Sequence, residues 1–392
     1  MSNKNKLSAK KRSKVFVGMS GGVDSSVAAY LLKKQGHSVV GVFMRGYNLD
    51  NCQEKDAEDA RRVAEHLEIP FYVWDFEKEY KEKVVDYMID GYRKGLTPNP
   101  DVMCNKEIKF GLFFERAMKF GADYVATGHY VKKITNNYQP ITNDFKPKKS
   151  VLKVISDKSS VISYSLAIAK DTNKDQSYFL WALNQKQIAK SLFPLGDYLK
   201  PEIRKIAKKI GVSTAEKKDS QGVCFLGMVN IKEFLKKYIP EKTGDVLNLA
   251  GEKIGEHNGS WFYTIGQRSG VGNLKHQKGQ KNHQPLYVAS KDIKKNILVV
   301  AEGGENAELY KKEVFLDEVN FCNLEHSNIL KNVGMSVMAR VRYRQPLFSA
   351  VLIKERKGWK LEFSKPQRFV APGQSAVVYL KNGEMLGGGV IK

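Results

Sequence analysis

Short apolar runs alternate with amphipathic segments over the first third of the chain. The apolar runs predict β-strands at 15–19, 38–44, 71–74 and 123–127. Apolar residues spaced three or four apart predict helices at 56–67 and 107–121. Strands that alternate with helices are typical of a parallel sheet with crossover helices, so we expect an α/β domain here.

The pattern changes twice further along the chain. Between residues 131 and 169 Lys, Asn and Ser dominate, which predicts a long hairpin or a partly ordered insertion. Helical spacing returns over 175–210, where Pro201 suits the first turn of a helix and Gly211 suits the position after its end. From about residue 244 onward, glycine-punctuated apolar runs predict small antiparallel barrels or sandwiches. Their strands are expected at 261–266, 285–290, 297–302, 336–344, 347–353, 359–364, 374–380 and 385–392.

These patterns predict an N-terminal parallel-sheet α/β domain followed by two small β-rich domains, the last of them a β-barrel. With 392 residues and 42% hydrophobic content, the chain can bury more than one core. We place the boundary between the β-rich units near Asp292, where a Lys-rich segment interrupts the strands. The expected domains are residues 1–225, with a basic arm at 1–14 and the insertion at 131–169, then 226–293 and 294–392.

Charge narrows the choice of partner. Lys and Arg number 65 against 42 Asp and Glu, a formal net charge of +23, which favours a polyanion. No apolar run approaches the ~18 residues of a spanning helix, so we expect no membrane association and prefer nucleic acid. A Lys-rich surface without a specific role remains the alternative.

The N-terminal segment and the cysteines indicate the cellular compartment of the protein. Residues 1–14 are basic and lack the apolar core of a secretory signal peptide. None of the four cysteines forms a C-x-x-C pair, which argues against a zinc site and against a disulfide framework. We therefore expect a cytoplasmic protein in which a functional thiol would be catalytic.

A glycine-rich turn, SGGVDSS, links the first predicted strand to the first helix. Paired glycines let backbone N–H groups approach an anion, and the helix N-terminus adds a positive dipole end. Ser20 and Ser25 can donate hydrogen bonds, and Asp24 can hold a cation or cap the helix. The lysine of the G-x-x-x-x-G-K-[ST] loop is missing, which disfavours γ-phosphate transfer. A plain capped turn is the alternative, but strand, loop and helix in this order favour phosphate binding.

Two cysteines are candidates for chemistry. Cys104 follows a Pro-restricted loop, and we expect its helix to begin at Glu107, so that the dipole and Lys106 lower the thiol pKa. Cys224 lies in a glycine-containing turn, DSQGVCF, that could move a thiol. The two are 120 residues apart, so sequence alone does not show that they meet. Packing is the alternative for Cys104 and the interpretation we adopt for Cys52 and Cys322.

Motifs spread along nearly the whole chain resemble those of a known family. The glycine-rich loop looks like the PP-loop of the N-type ATP pyrophosphatases, which cleave ATP between its α- and β-phosphates. The ordered set resembles the tRNA-specific 2-thiouridylases, which implies a PP-loop (adenine nucleotide α-hydrolase-like) fold for the first domain. The motifs are SGGVDSS, NPDVMCNKEIKFG, KDQSYFL, DSQGVCF, TIGQR, RVRYRQ and APGQS.

The resemblance implies a set of site residues. ATP would be bound by Gly18, Met19, Ser20, Gly21, Gly22, Val23, Asp24, Ser25, Met44 and Gly128. Asn99, Pro100 and Asp101 would contact the target uridine. The residues implied to contact tRNA are His129, Lys174, Asp175, Gln176, Arg342, Tyr343 and Gln374. We expect Met44 and Gly128 at carboxyl ends of strands, where α/β sheets bind ligands, and Arg342 and Tyr343 at a strand edge.

The resemblance also implies a reaction. With ATP and Mg²⁺, the C2 carbonyl of a flipped wobble uridine would be adenylated. A persulfide on Cys224, loaded by an upstream sulfur donor, would deliver sulfur, and Cys104 would release the product and form a disulfide. Asp101 would act as a base or position the uridine. Two alternatives stay open: a PP-loop enzyme with another acceptor, and a non-enzymatic RNA-binding protein. The expected assembly is a monomer or a weak dimer.

Overall fold

A computed structural model gives the fold of this protein. It describes residues 12–47, 52–138, 161–218, 230–268, 270, 273–274, 284–322 and 334–392. Three subjects of prediction therefore lie wholly or partly outside the described residues: the basic arm, the middle of the insertion, and Cys224 with its turn.

The N-terminal domain alternates strands and helices as its sequence pattern predicts. Its strands are β1 (Lys14–Gly18), β2 (Ser38–Arg45), β3 (Phe71–Asp75), β4 (Tyr124–Ala126), β5 (Lys132–Tyr138), β6 (Val161–Ala167) and β7 (Ser191–Leu192). Its helices are α1 (Val23–Lys34), α2 (Cys52–His66), α3 (Glu77–Tyr80), α4 (Asp86–Arg93), α5 (Pro100–Met103), α6 (Phe113–Lys119), α7 (Gln185–Ala189) and α8 (Lys200–Lys209). Helix α8 has Pro201 in its first turn, and Gly211 follows it with φ +68°, as expected.

Five strands form the predicted parallel sheet, in the order β3-β2-β1-β4-β7. Parallel sheets are covered by helices on both faces, so their strands are apolar throughout. In β1, Val15 and Val17 belong to one buried cluster and Phe16 to another. The carboxyl ends of β1, β2, β3 and β4 lie at one edge, where open α/β sheets bind their ligands.

One long helical segment carries Cys104, and its start differs from our expectation. The segment begins at Pro100, and π-helical turns at Cys104–Leu112 join α5 to α6. The prediction that a helix begins at Glu107 was wrong, because Asn99 caps the segment earlier: its Oδ1 accepts a hydrogen bond from the Val102 backbone N–H at 3.3 Å. Cys104 is thus inside the helix and not at its first turn.

The region 131–169 contains a hairpin. Strands β5 and β6 pair antiparallel from Lys132–Ala167 to Tyr138–Val161. The hairpin prediction is confirmed for these two arms, and residues 139–160 lie outside the description.

The central β-rich domain follows α9 (Ile231–Lys236). Its strands β8 (Gly244–Leu247), β9 (Lys253–His257), β10 (Asn273–Leu274), β11 (Leu286–Asp292) and β12 (Ile297–Glu302) form a sheet in the order β10-β9-β8-β12-β11. The Lys-rich segment after Asp292 is the turn of the β11–β12 hairpin, so the strands on both sides of the expected boundary belong to one sheet. The strand predicted at 261–266 is also wrong, because Ser260–Phe262 forms a 3₁₀ turn.

The last domain is the predicted barrel. Its strands are β13 (Tyr310–Phe321), β14 (Met335–Arg340), β15 (Phe348–Lys354), β16 (Trp359–Arg368), β17 (Ser375–Tyr379) and β18 (Glu384–Ile391). They pair in the order β13-β16-β15-β14-β17-β18, and β13 pairs with β18 to close the barrel. Strand β18 also pairs with β6, which attaches the hairpin of the first domain to the barrel.

No helix in the described ranges has the length and apolar character needed to cross a membrane.

Candidate active site

The phosphate loop lies between β1 and α1. Gly21 has φ +69°, and a Cβ there would lie 2.2 Å from the Asp56 carbonyl oxygen, so this turn requires glycine. The Ser25 hydroxyl accepts a hydrogen bond from the Ser20 backbone N–H at 3.1 Å and donates one to the Gly22 carbonyl at 3.2 Å. The loop is therefore compact and held by its own hydroxyl groups.

Two further glycines leave room beside this loop. A Cβ on Gly18 would lie 2.8 Å from the Met44 Cε atom, which places Met44 next to the loop. A Cβ on Gly128 would lie 2.7 Å from the Ser25 backbone nitrogen. Gly128 follows β4 and Met44 belongs to β2, so the elements predicted to bind ATP meet at the carboxyl edge of the sheet. A cradle that side chains would fill suits the close approach of a nucleotide.

Asp24, in the first turn of α1, has partners that sequence reasoning missed. The Lys200 ammonium lies 2.7 and 2.8 Å from its two carboxylate oxygens, and the Tyr130 hydroxyl donates to Oδ1 at 2.8 Å. Gln176 holds Tyr130 in turn, because its Oε1 accepts from the Tyr130 backbone N–H at 3.0 Å. Lys200 lies 176 residues beyond Asp24, so no local pattern could have linked them.

Cys104 lies at the same edge of the sheet. Tyr80, which follows β3, makes a hydrogen bond with its thiol. The Lys109 ammonium acts electrostatically on Cys104, on Asp101 and on His129, which follows β4. Thiol, carboxyl group and lysine are thus grouped near the strand ends that carry the phosphate loop.

The expected low pKa of Cys104 is wrong. The side chain is buried, and burial raises the pKa of the thiol, with Lys109 and the Tyr80 hydrogen bond opposing and Asp101 reinforcing the rise. Burial likewise raises the pKa of Asp101, against the opposing charge of Lys109. Lys106, chosen from the sequence, is exposed and pairs with Glu107 at 3.7 Å. Its place beside the thiol is taken by Lys109.

His129 and Asn99 are buried. The His129 Nδ1 atom lies 2.8 Å from the Thr127 hydroxyl, and burial, followed by the charge of Lys109, lowers the pKa of His129 well below its usual range. Asn99 lines a cavity of about 210 Å³ between the helical segment and the barrel, together with Lys106, Glu318 and Asn320. Helical spacing puts this cavity on the side of the segment away from Asp101 and Cys104.

The barrel holds the loop that leads to Cys104. The Gln374 amide donates to the carbonyl oxygens of Thr97 at 2.9 Å and Pro98 at 3.3 Å, and the Thr97 backbone N–H donates to the Pro372 carbonyl at 2.7 Å. Gln374, which the resemblance assigns to tRNA, therefore contacts this chain's own loop. Pro100, which starts α5 directly after that loop, is buried.

Arg342 and Tyr343 do not lie on a strand edge as expected. Strand β14 ends at Arg340, and both residues follow it in a turn. The Arg342 guanidinium donates to the Ile265 carbonyl at 2.8 Å, in the TIGQR motif. The ring centroid of Tyr343 lies 4.4 Å from that of Phe179, which belongs to the KDQSYFL motif. The turn thus connects all three domains.

Asp175 is buried with Arg340, a residue that the sequence analysis did not single out. The Arg340 guanidinium pairs with the Asp175 carboxylate and donates to the Tyr379 hydroxyl at 2.7 Å. Asp175 also accepts from the Ser177 hydroxyl at 2.9 Å. Lys174, beside it, is half-buried. Asp175 therefore joins the first domain to the barrel from a position that solvent does not reach.

The last described residues before Cys224 are held by a pair of salt bridges. Lys217, the next to last residue described before the gap, pairs with Asp56 at 2.7 Å and with Asp59 at 2.6 Å on α2. Asp56 is the residue whose carbonyl oxygen lies against Gly21. The chain thus leaves the described region beside the phosphate loop, and whether Cys224 meets Cys104 stays a prediction.

Within the described residues, no group of three or more His, Cys, Asp or Glu side chains is arranged to hold a metal ion.

Three family models match this chain in the order of its domains. Residues 13–228 match the tRNA methyl transferase HUP domain, residues 232–302 the tRNA methyl transferase PRC-barrel domain, and residues 311–391 the aminomethyltransferase beta-barrel domain. The tRNA-specific 2-thiouridylase MnmA of Streptococcus thermophilus is 44% identical over 389 residues, which cover 97% of this chain and 95% of that protein. The protein of the same name from Pediococcus pentosaceus is 41% identical over the same share of each chain. Among solved structures, an NMN synthetase from Francisella tularensis aligns with a TM-score of 0.33 and 17% identity, covering 58% of this chain and 73% of that one.

The parallel sheet, the glycine-rich loop and the matching HUP domain define a PP-loop enzyme followed by two β-barrel-type domains. Sequence identity above 40% along nearly the entire chain then identifies the family. The chain belongs to the tRNA-specific 2-thiouridylases.

Proposed function

We propose that this chain 2-thiolates the wobble uridine of tRNA, using ATP with Mg²⁺ and a persulfide on Cys224. Its family makes it a tRNA-uridine 2-sulfurtransferase. The observation that most supports the finer mechanism is the grouping of Cys104, Asp101 and Lys109 near the strand ends that carry the phosphate loop. The proposal includes a cytoplasmic location, where tRNA is modified and thiols stay reduced.

The phosphate loop would bind ATP through backbone N–H groups and the hydroxyls of Ser20 and Ser25. Asp24 offers carboxylate oxygens, which Mg²⁺ prefers. The uracil O2 attacks the α-phosphate, pyrophosphate leaves, and C2 becomes electrophilic. Adenylation turns the carbonyl oxygen, a poor leaving group, into a good one. The protein orients the uracil and the α-phosphate and stabilises the negative charge of the departing pyrophosphate.

The terminal sulfur of the Cys224 persulfide then attacks C2, and AMP leaves. Cys104 attacks the Cys224 sulfur, breaks the S–S bond of the persulfide and leaves its terminal sulfur on uracil. A disulfide between the two cysteines remains, and a cellular thiol must reduce it. Because burial raises the pKa of Cys104, it is a thiol at neutral pH and must lose a proton as it attacks. Asp101, with its own raised pKa, is the proposed acceptor.

The test is mass spectrometry of tRNA nucleosides from a strain that lacks the gene and carries a plasmid copy. The wild-type copy should restore 2-thiouridine, and the Cys104→Ser and Cys224→Ser copies should not. Cys322→Ser is the matched control, because Cys322 is also buried but lies in the barrel, at the end of β13. Persistent 2-thiouridine with Cys224→Ser would exclude the persulfide.

A second measurement separates activation from sulfur transfer. Purified Cys224→Ser should still exchange pyrophosphate into ATP when tRNA is added, because adenylation precedes the use of sulfur. A wild-type protein without tRNA-dependent exchange would favour the non-enzymatic alternative.

A further inference from the structure

The pair formed by Lys200 and Asp24 has features that ordinary packing does not explain. Lys200 begins α8 and is only 8% exposed, although its side chain ends in an ammonium group. Burying an ammonium group is expensive unless it is paired, and both Asp24 oxygens lie within 2.8 Å of it. The fold thus brings a desolvated cation to the first turn of α1, directly after the glycine-rich loop.

The position of Lys200 is fixed by its backbone. Its N–H donates to the Asp171 carboxylate at 2.8 Å, and Pro201, which follows it in the first turn of α8, restricts the backbone of Lys200. The ammonium lies at the end of a flexible four-carbon stem, so it can move while the helix stays in place. A lysine that binds phosphate needs both properties: a backbone that stays in place and an ammonium group that can move to the ligand.

The loop itself supplies N–H groups and hydroxyls but no cation. ATP cleaved between its α- and β-phosphates releases pyrophosphate, whose negative charge must be stabilised as it leaves. We propose that Lys200 binds the β- and γ-phosphates of ATP and the departing pyrophosphate, and that Asp24 holds its ammonium until phosphate oxygens compete for it. This inference rests on the proposed use of ATP.

When the Lys200 ammonium moves to the phosphates, Asp24 still has partners. The Tyr130 hydroxyl still donates to Oδ1, and the carboxylate that Lys200 leaves is available to Mg²⁺. Asp24 and Lys200 therefore neutralise each other in the free protein and act on the metal and on the phosphates when nucleotide binds. The missing lysine of other phosphate loops is supplied by α8.

Calorimetric titration of the full-length protein with ATP, inorganic pyrophosphate and AMP tests the assignment. Lys200→Met should weaken binding of ATP and pyrophosphate by about tenfold or more, the value of a charge-assisted hydrogen bond. AMP lacks the β- and γ-phosphates, so its affinity should change little. Lys208→Met is the control, because Lys208 lies at the other end of α8 and its exposed side chain pairs with Glu216. It should bind all three ligands as the wild type does.

Asp24→Asn removes the competing carboxylate and gives an independent readout. With metal chelated, it should bind pyrophosphate more tightly than the wild type, and adding Lys200→Met to it should abolish that gain. The double variant has no unpaired carboxylate, so it also remains informative if Lys200→Met alone fails to fold.

Three results would overturn the inference alone. They are unchanged pyrophosphate affinity in Lys200→Met, equal loss of AMP and pyrophosphate binding, or metal-free Asp24→Asn that binds pyrophosphate no better than the wild type. A wild-type protein that does not bind ATP would overturn the inference and the ATP-dependent mechanism together. Loss of pyrophosphate binding in Lys200→Met, with no 2-thiouridine made by the wild type, would leave the inference standing and reject the proposed function.

Discussion

At the scale of single residues, the charge next to Cys104 decides how readily its thiol loses a proton. Burial raises the pKa of Cys104, and Lys109 opposes that rise. Lys109→Met should therefore raise the thiol pKa further and slow alkylation of Cys104 by iodoacetamide several-fold at pH 8. The measurement is peptide-resolved mass spectrometry of alkylation against pH.

Lys106→Met is the matched control for this prediction. Lys106 is on the same helical segment, three residues closer to Cys104 in sequence, but is exposed and paired with Glu107. Its replacement should leave the alkylation profile unchanged. If Lys106→Met slowed alkylation and Lys109→Met did not, the assignment drawn from the sequence would be right.

The lowered pKa of His129 predicts how the free energy of unfolding depends on pH. Its folded-state pKa lies well below its usual range, so below pH ~6.5 the unfolded chain binds a proton that the folded protein does not. This contribution to stability is present above pH ~6.5 and is lost on acidification, by about 1.4 kcal/mol per pH unit. Urea unfolding at pH 7.5, 6.5 and 5.5 should show a smaller loss for His129→Asn than for the wild type. If the free energy of unfolding changed equally with pH in the two proteins, the role assigned to His129 would be wrong.

At the scale of elements, strands and helices were predictable where the signal is local. The parallel strands β1 to β4 and the barrel strands β14 to β18 follow the apolar pattern, because burial on one or both faces fixes which positions are apolar. Strand β13 was not predicted, because most of its side chains are exposed or half-buried. The turn after Asp292 and the 3₁₀ turn at Ser260–Phe262 were misread, because a charged hairpin turn and a short apolar segment have no unique periodicity.

The candidate site was less predictable because its contacts join distant segments. Lys109 was missed since residues five apart do not share a face of an α-helix, whereas the π-helical turns after Cys104 form hydrogen bonds five residues apart. Arg340 and Lys200 were missed since their partners lie 165 and 176 residues away. Buried surroundings also reversed the expected pKa of Cys104, and burial cannot be read from a motif.

The turn of the barrel at Pro372–Gln374 predicts coupling between the barrel and the loop that leads to Cys104. Gly373 has φ +90°, and a Cβ there would lie 2.9 Å from the Thr97 backbone nitrogen. Gly373→Ala should displace the Thr97 loop and reduce thiolation by at least tenfold, as small misplacements at a reacting centre can do. Single-turnover thiolation of tRNA measures the effect.

Gly383→Ala controls for backbone strain in that experiment. Gly383 also lies in the barrel with φ +85°, but its Cβ would approach nothing nearer than 3.7 Å. Both variants force a side chain into a left-handed conformation, at about 1–2 kcal/mol. Gly383→Ala should lose stability and keep its thiolation rate. Equal loss of activity in the two variants would show that strain alone is responsible.

At the scale of the whole molecule, the barrel is attached to the first domain by buried polar contacts as well as by the hairpin. The side chains of Arg340 and Asp175 are 7% and 1% exposed, and Tyr379 completes the network from β17. The Trp181 indole N–H adds a hydrogen bond to the Ser375 hydroxyl at 3.0 Å. Buried pairs stabilise little in total, but they specify one arrangement because any other leaves a charge unpaired.

Removing one member of this pair should therefore be costly. Arg340→Met leaves Asp175 buried without its cation, so we expect a loss of about 3–5 kcal/mol in the free energy of unfolding. Lys392→Met, which breaks the exposed barrel pair with Asp317, should cost less than about 1 kcal/mol. Adding Asp175→Asn to Arg340→Met should recover part of the loss, because no buried charge then remains unpaired.

The single variant Asp175→Asn decides whether Asp175 contacts tRNA, as the resemblance implies, or supports the domain arrangement, as its burial indicates. If it supports the arrangement, Asp175→Asn should lower stability. Its tRNA affinity, measured well below its unfolding temperature, should stay within about twofold of the wild type, since a carboxylate that solvent does not reach cannot contact RNA. Lys174→Ala, one residue away and half-buried, should weaken tRNA binding and flatten its salt dependence by ~0.7–0.9 log units per log unit of salt. If Asp175→Asn left stability unchanged and lowered tRNA affinity, the assignment of Asp175 to the RNA interface would be right.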